Sequence, residues 1–237
     1  MTLFPCAKIN LGLNVVSKRD DGYHNLETVF YPIPLCDALE VTVMDSDFPS
    51  DFPCDLKITG NSIECNEQEN LVVKAYNILF KDFTLPRIHT HLHKQIPSQA
   101  GLGGGSSDAA YMIRLLNECF HLNIEGAEME RYAARLGADC AFFISAKPAF
   151  ATGIGEILSP VETVDNQLKG HHILLVKPNV NITTKDAFAH IVPKKPSKSC
   201  RDIVGQPVET WKDELTNDFE TSVFKKYPEL SEIKDSL

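Results

Sequence analysis

The sequence predicts an α+β protein. Three observations carry this. Alternating, β-branched runs crowd the first 60 residues. Apolar residues then recur at helical spacing. Strands and helices are mixed along the chain without a strict β-α-β repeat. At about 150 residues per domain, 237 residues allow one large or two small domains.

Each element follows from its pattern. Residues 7–13 form an apolar early strand interrupted by Lys8. Residues 39–44 and 54–59 alternate with period two. The period changes over 70–80, where Leu71, Ala75, Ile78 and Leu79 fall on one helical face. Residues 88–93 return to alternation and place His89, His91 and His93 on one side of a strand. Ala109, Met112, Ile113 and Leu116 predict a helix over 106–120. A further helix over 127–136 is stopped by Gly137. The run Ile173-Leu174-Leu175-Val176, ended by Pro178, predicts a buried strand. Residues 193–198, with Lys194, Lys195 and Lys198, read as a solvated loop. Helices over 217–226 and 228–236 close the chain.

Composition narrows the function. Apolar residues make up 43% and charged residues 23%, with a net charge of -9. A global basic footprint for nucleic acid is excluded. No apolar run reaches the roughly 18 residues of a membrane span, and the N-terminus has no secretory pattern. Seven cysteines at scattered spacing, without Cys-x-x-Cys, predict reduced thiols and a cytoplasmic protein. The three strand histidines lie about 7 Å apart along the strand, which suits a closed metal site poorly.

The segment Pro97-Ser98-Gln99-Ala100-Gly101-Leu102-Gly103-Gly104-Gly105-Ser106-Ser107 is the strongest chemical signal. Glycines are entropically costly unless the backbone needs them. Here they join a strand to a helix N-terminus, where unpaired N–H groups and the helix dipole favour an anion. The pattern fits neither a Walker A loop nor Gly-x-Gly-x-x-Gly. Ser106 or Ser107 offers a hydroxyl to phosphate or Mg²⁺. Asp108 weighs against an anion there, because its carboxylate also satisfies the dipole. Lys8 within an apolar strand must reach water, pair, or serve a site. Asp139, pressed against Cys140 to Ile144, is either paired or functional.

The loop resembles the phosphate-binding motif of the GHMP kinases. Ala7-Lys8-Ile9-Asn10-Leu11, Asp21-Gly22-Tyr23-His24-Asn25-Leu26, Leu136-Gly137-Ala138-Asp139 and Gly153-Ile154-Gly155-Glu156 resemble further family segments, in the family's order. Lys177-Pro178-Asn179 to Phe188 and Leu215 to Glu220 extend the likeness. Within the family, the set is most similar to the branch whose acceptor is a cytidine diphosphate methylerythritol of the non-mevalonate isoprenoid route.

The resemblance implies a two-lobed fold. Residues 1–153 would form an N-terminal lobe with a left-handed β-α-β unit, against the general right-handed rule. Residues 154–237 would form a C-terminal lobe. It implies ATP with Mg²⁺ as co-substrate and no tightly bound organic cofactor. Asp139 would serve as base toward the acceptor hydroxyl with Lys8 beside it, keeping it ionised. Pro97, Ala100, Gly101, Leu102, Gly103, Gly104, Gly105, Ser106 and Ser107 would hold the nucleotide phosphates, and a Ser107 hydroxyl could reach Mg²⁺. Lys94 would sit near the nucleotide; Asn70 would do so too, or would simply cap its helix. Asn10, Tyr23, His24, Thr184 and Phe188 would bind the acceptor, with Tyr23 and Phe188 stacking on the base and His24 reading its edge. The expected partners are these small molecules, with no nucleic acid and no membrane, in a monomer or weak homodimer.

The sequence departs from the family pattern in two places. Cys140-Ala141 stands where the family has Val-Pro. The family's third glycine-rich motif is not found before Leu237, so the C-terminal lobe is expected to be incomplete. Two other readings accompany the main one: a homoserine- or mevalonate-type kinase, and a nucleotide-binding module without turnover.

Overall fold

A computed structural model covers the chain and describes every residue except Glu64; for Thr184 and Lys185 it describes the backbone alone. Eight strands, ten α-helices and two short 3-10 helices occur among the described residues; strands and α-helices are numbered below. In order they are β1 (Thr2–Leu3), β2 (Cys6–Lys18), β3 (His24–Cys36), β4 (Ala38–Val43), β5 (Cys54–Gly60), α1 (Leu71–Asp82), β6 (Ile88–Lys94), α2 (Gly104–Cys119), α3 (Gly126–Ala134) and α4 (Phe142–Ser145). There follow β7 (Ala149–Thr152), β8 (Ile157–Pro160), α5 (Thr163–Leu168), α6 (Thr184–Phe188), α7 (Cys200–Ile203), α8 (Trp211–Glu214), α9 (Phe219–Lys226) and α10 (Pro228–Ser236). The α+β class holds.

Contacts divide the chain into two compact units. Met1–Ile9 and Pro32–Lys147 form the first; Asn10–Tyr31 and Pro148–Leu237 form the second.

The first unit is built on a sheet of order β1-β4-β6-β5. β5 and β6 run parallel and are joined through α1, which makes the β-α-β unit. β4 lies antiparallel to β6. Strand parity explains the layering. Ile88, Thr90 and Leu92 point inward and are buried, as are Leu39 and Val41 of β4. Onto this face pack Val72, Val73, Ala75, Tyr76 and Leu79 of α1, with Ala109, Met112, Ile113 and Leu116 of α2. The opposite parity carries the three histidines. The Thr59 hydroxyl bridges His91 Nε2 and His93 Nδ1 at 2.9 Å each, and His89 Nδ1 lies 3.0 Å from Asp55 Oδ2. Among the described residues no group of three or more His, Cys, Asp or Glu side chains is arranged to hold a metal ion.

The second unit contains most of a sheet of order β2-β3-β7-β8; β2 up to Ile9 and β3 from Pro32 belong to the first unit. β7 pairs antiparallel with β3 over Thr28 to Phe30. Val29, Val161, Val164, Cys200, Ile203, Val204 and Trp211 form its core. The predicted segment 215–220 is tied to β2: Leu13 N–H donates to Thr216 O at 2.8 Å, and Val15 N–H donates to Asp218 Oδ2 at 2.7 Å.

One expectation fails. Ile173 to Val176 form no strand and are exposed by 48%, 76%, 41% and 49%. A short apolar run becomes a buried strand only where another backbone pairs with it, and none does so among the described residues. All seven cysteines are free thiols. No helix among the described residues is long and apolar enough to cross a membrane.

Candidate active site

The glycine-rich loop leaves β6 and enters α2. The helix begins at Gly104, two residues before its predicted start, because Gly103 at φ +71° serves as the N-cap. Gly103 is required twice over. Its φ lies in the left-handed region, and a Cβ there would stand 2.7 Å from Phe143 Cζ and 3.2 Å from Lys8 Cγ. No side chain caps the helix. Asp108, the fifth residue of the helix, is buried and bonds Lys94 Nζ at 2.6 Å. The first-turn N–H groups of α2 are thus left to an anion. Ser107 is fully buried and its hydroxyl has no hydrogen-bond partner. Ser106 is half-buried, so the hydroxyl of the pair with access to solvent is that of Ser106.

Lys8 lies beside this loop. Its main-chain N–H donates to Leu102 O at 2.9 Å, and its ammonium stands 3.8 Å from Asp139 Oδ2. Asp139 sits on the turn between α3 and α4, held by Gly137, whose carbonyl accepts from Cys140 N–H at 3.1 Å. Lys8 is 5% exposed, while the Asp139 side chain keeps 35%. Burial pushes the Lys8 ammonium below its ordinary range, and the Asp139 carboxylate partly offsets this. At 3.8 Å the two groups attract as an ion pair, at a separation longer than a hydrogen bond.

Asn70 caps α1: its side-chain oxygen accepts from Val72 N–H at 2.9 Å. Lys94 is enclosed, its ammonium donating to Asp37 and Asp108. Sequence reasoning missed Asp37. No sequence signal could have found it, because it pairs with residues 57 to 59 positions away.

In the second unit, Arg19 and Asp21 form an ion pair at 2.8 Å, and Tyr23 N–H donates to Asp21 Oδ1. This turn presents Tyr23, which is 62% exposed. The His24 ring stacks on Phe188 with centroids 5.0 Å apart and 20° between planes, and Phe219 meets Phe188 edge-on at 4.8 Å. Asn10 Nδ2 donates to Thr28 Oγ1 at 2.9 Å. The Thr184 side chain lies outside the described residues. The structure therefore brings Lys8, Asp139 and the loop together in one unit, and His24 with Phe188 in the other.

Residues 70–147 match the family model for the N-terminal domain of GHMP kinases. The chain is 55% identical over 237 residues to a 4-diphosphocytidyl-2-C-methyl-D-erythritol kinase of Bacteroides fragilis, covering all of this chain and 84% of that protein. A protein of the same name from Porphyromonas gingivalis is 44% identical over 239 residues, again 100% and 84% covered. A crystal structure of 4-(cytidine 5'-diphospho)-2C-methyl-D-erythritol kinase superposes with a TM-score of 0.75 at 29% identity, covering 98% of this chain and 81% of that one. Methanococcus jannaschii mevalonate kinase shares the fold alone, with a TM-score of 0.52 at 12% identity and 72% and 58% covered.

Proposed function

The chain belongs to the GHMP kinase family, and we propose that it transfers the γ-phosphoryl group of ATP to the 2-hydroxyl of 4-diphosphocytidyl-2-C-methyl-D-erythritol, giving the 2-phosphate and ADP. The relatives favour this acceptor over homoserine or mevalonate. The observation that carries the chemistry is the meeting of the Lys8 ammonium, the Asp139 carboxylate and an uncapped, glycine-led helix N-terminus within one unit.

Phosphoryl transfer asks for positioning and charge neutralisation more than for covalent chemistry. In this reading the loop from Pro97 to Ser107 holds the phosphates of MgATP through its N–H groups, and Asn70 and Lys94 support that side. Magnesium enters with the nucleotide as part of the substrate and neutralises phosphate charge. Asp139 accepts a hydrogen bond from the acceptor hydroxyl and directs its lone pair toward the γ-phosphorus. Lys8 pairs with Asp139 and balances charge that develops on the transferring oxygens. Asn10, Tyr23, His24, Thr184 and Phe188 take the acceptor, its pyrimidine ring lying against aromatic faces. The protein acts in the cytoplasm, its free thiols fitting a reducing compartment.

The test is acceptor-dependent ADP release from MgATP by the purified chain. Release that requires both the cytidine diphosphate acceptor and Asp139 supports the reading. Release with homoserine or mevalonate but not with the cytidine compound would overturn the acceptor assignment.

A further inference from the structure

We propose that Asp37, Lys94 and Asp108 form a buried strut that fixes both ends of the glycine-rich loop, making them positioning residues for nucleotide binding. The proposal rests on reading that loop as the nucleotide cradle.

Asp37 lies between β3 and β4 and is 1% exposed. Its own N–H donates to Pro5 O at 2.9 Å, which ties it to the start of the chain. Its carboxylate then takes three donors. Oδ1 accepts from Gln95 N–H at 2.5 Å and Ile96 N–H at 2.8 Å, and Oδ2 accepts from the Lys94 ammonium. These donors are the last residue of β6 and the two that lead into the loop. Lys94 in turn reaches Asp108 Oδ2 at 2.6 Å, on the fifth residue of α2, directly after Ser107 at the end of the glycine-rich segment. One buried carboxylate therefore grips the entrance directly and the exit through a single ammonium.

Packing confirms how closely the two ends approach. A Cβ on Gly104 would stand 3.0 Å from Ile96 Cγ2 and 3.3 Å from Lys94 Nζ. The middle of the loop has no such support: Ser98, Gln99 and Gly101 are exposed. Its amide directions thus depend on where its ends are held, together with the bond from Lys8 N–H to Leu102 O.

Charges are an expensive way to fill a core, because desolvation offsets much of their attraction and apolar residues of similar size often serve stability as well. What an ammonium between two carboxylates adds is direction. Fixed charge-assisted hydrogen bonds hold a geometry that apolar contacts would let slide. A phosphate cradle built from backbone N–H groups needs that fixity, since misplaced donors lose most of their binding to an anion.

The experiment measures MgATP affinity directly, by fluorescence titration or calorimetry without acceptor, alongside thermal midpoints and the acceptor KM. Asp108→Ala cuts the exit tether while leaving the Lys94–Asp37 pair intact. It is expected to weaken MgATP binding at least ten-fold, with acceptor KM within two-fold of the parent. Asp108→Asn retains an oxygen facing Lys94 and is expected to restore binding to within three-fold. Asp108→Ala binding MgATP within two-fold of the parent overturns the strut, as does equal weakening of acceptor and nucleotide. Should Asp108→Ala not fold, Asp37→Asn, Lys94→Met and Asp108→Asn are combined, removing the ammonium without orphaning a charge. The same ten-fold loss is expected of that protein, and parental affinity in it overturns the proposal. If the parent chain itself fails to bind MgATP, the reading of the loop falls first and the strut falls with it.

Discussion

The Lys8 ammonium and the Asp139 carboxylate face each other across 3.8 Å, one nearly buried and the other still open to solvent. The gap is longer than a hydrogen bond. β2 carries Lys8, and the turn between α3 and α4 carries Asp139. Asp139→Asn keeps the shape and removes the charge. It is expected to lower kcat by about 10²–10⁴-fold while leaving both KM values within about three-fold. Steady-state kinetics at saturating MgATP would show this. A parental kcat would remove Asp139 from the chemistry.

Gly103 and Gly105 differ by two positions and are expected to differ sharply in tolerance. Alanine at 103 meets a left-handed φ and the Phe143 ring at 2.7 Å. Strain of that kind costs about 1–3 kcal/mol, and it falls on the loop. Gly105 lies inside α2, and a Cβ there meets nothing nearer than Leu71 Cδ1 at 3.9 Å. Gly103→Ala should lower the melting temperature and weaken MgATP binding at least ten-fold. Gly105→Ala should leave stability unchanged or slightly raised. Melting curves and nucleotide titrations of the two proteins check the contrast.

The order of difficulty in reading this chain follows the range of the interactions involved. The long helices were legible because amphipathic period is a local property: 70–80, 127–136, 217–226 and 228–236 agree with α1, α3, α9 and α10 to within about two residues. Helices α4 to α8 were not, being too short for a period to show. The start of α2 was placed at a serine because serines commonly cap helices, whereas a left-handed glycine does so here. Ile173 to Val176 misled because hydrophobicity alone does not supply a pairing partner. At the site, Lys8 and Asp139 stood out as charges in apolar surroundings. Asp37 did not, since its meaning depends on contacts 57 to 59 residues away.

Asp108 gives the fold a pH dependence whose sign can be worked out. Burial pushes its carboxyl up to about 7, with the Lys94 ammonium opposing and the Asp37 carboxylate reinforcing. In the unfolded chain the value is about 4. Between these limits the folded state binds more protons than the unfolded one, so stability falls as pH rises from about 4 to about 7. The penalty is complete above that range and amounts to at most ~4 kcal/mol, at ~1.4 kcal/mol per unit. Asp108→Asn lacks it. The variant's melting temperature should gain on the parent's between pH 5 and pH 8. A gap that stays constant across that range would contradict the assignment.

The exposed run at 173–176 makes a separate prediction about stability. Leu174 is 76% exposed, so Leu174→Gln gives up little burial. Substitutions at such positions stay within about 0.5 kcal/mol, a shift of no more than about 2 °C in a chain of this length. Leu92, in the middle of β6, is fully buried. Leu92→Ala should cost about 2–5 kcal/mol by leaving a cavity between the sheet and its helices. Parallel denaturation of both variants tests whether the apolar run belongs to the core, as its composition led one to expect, or lies outside it.

His24 and Phe188 supply the sharpest discrimination among acceptors. Their rings stack at 5.0 Å, and Phe219 supports Phe188 from its edge. A flat, buttressed aromatic surface suits a nucleobase, for which stacking is worth about 1–3 kcal/mol per base. Phe188→Leu retains bulk and loses the π-face. For a cytidine-bearing acceptor it should raise the acceptor KM about 5- to 100-fold, with kcat and the KM for MgATP little changed. Tyr23→Ala, removing a ring that is 62% exposed, should act in the same direction without lowering the melting temperature. An acceptor without a base would gain nothing from these rings. Unchanged acceptor KM values in both variants would therefore argue for a small-alcohol kinase, even if ADP release were seen.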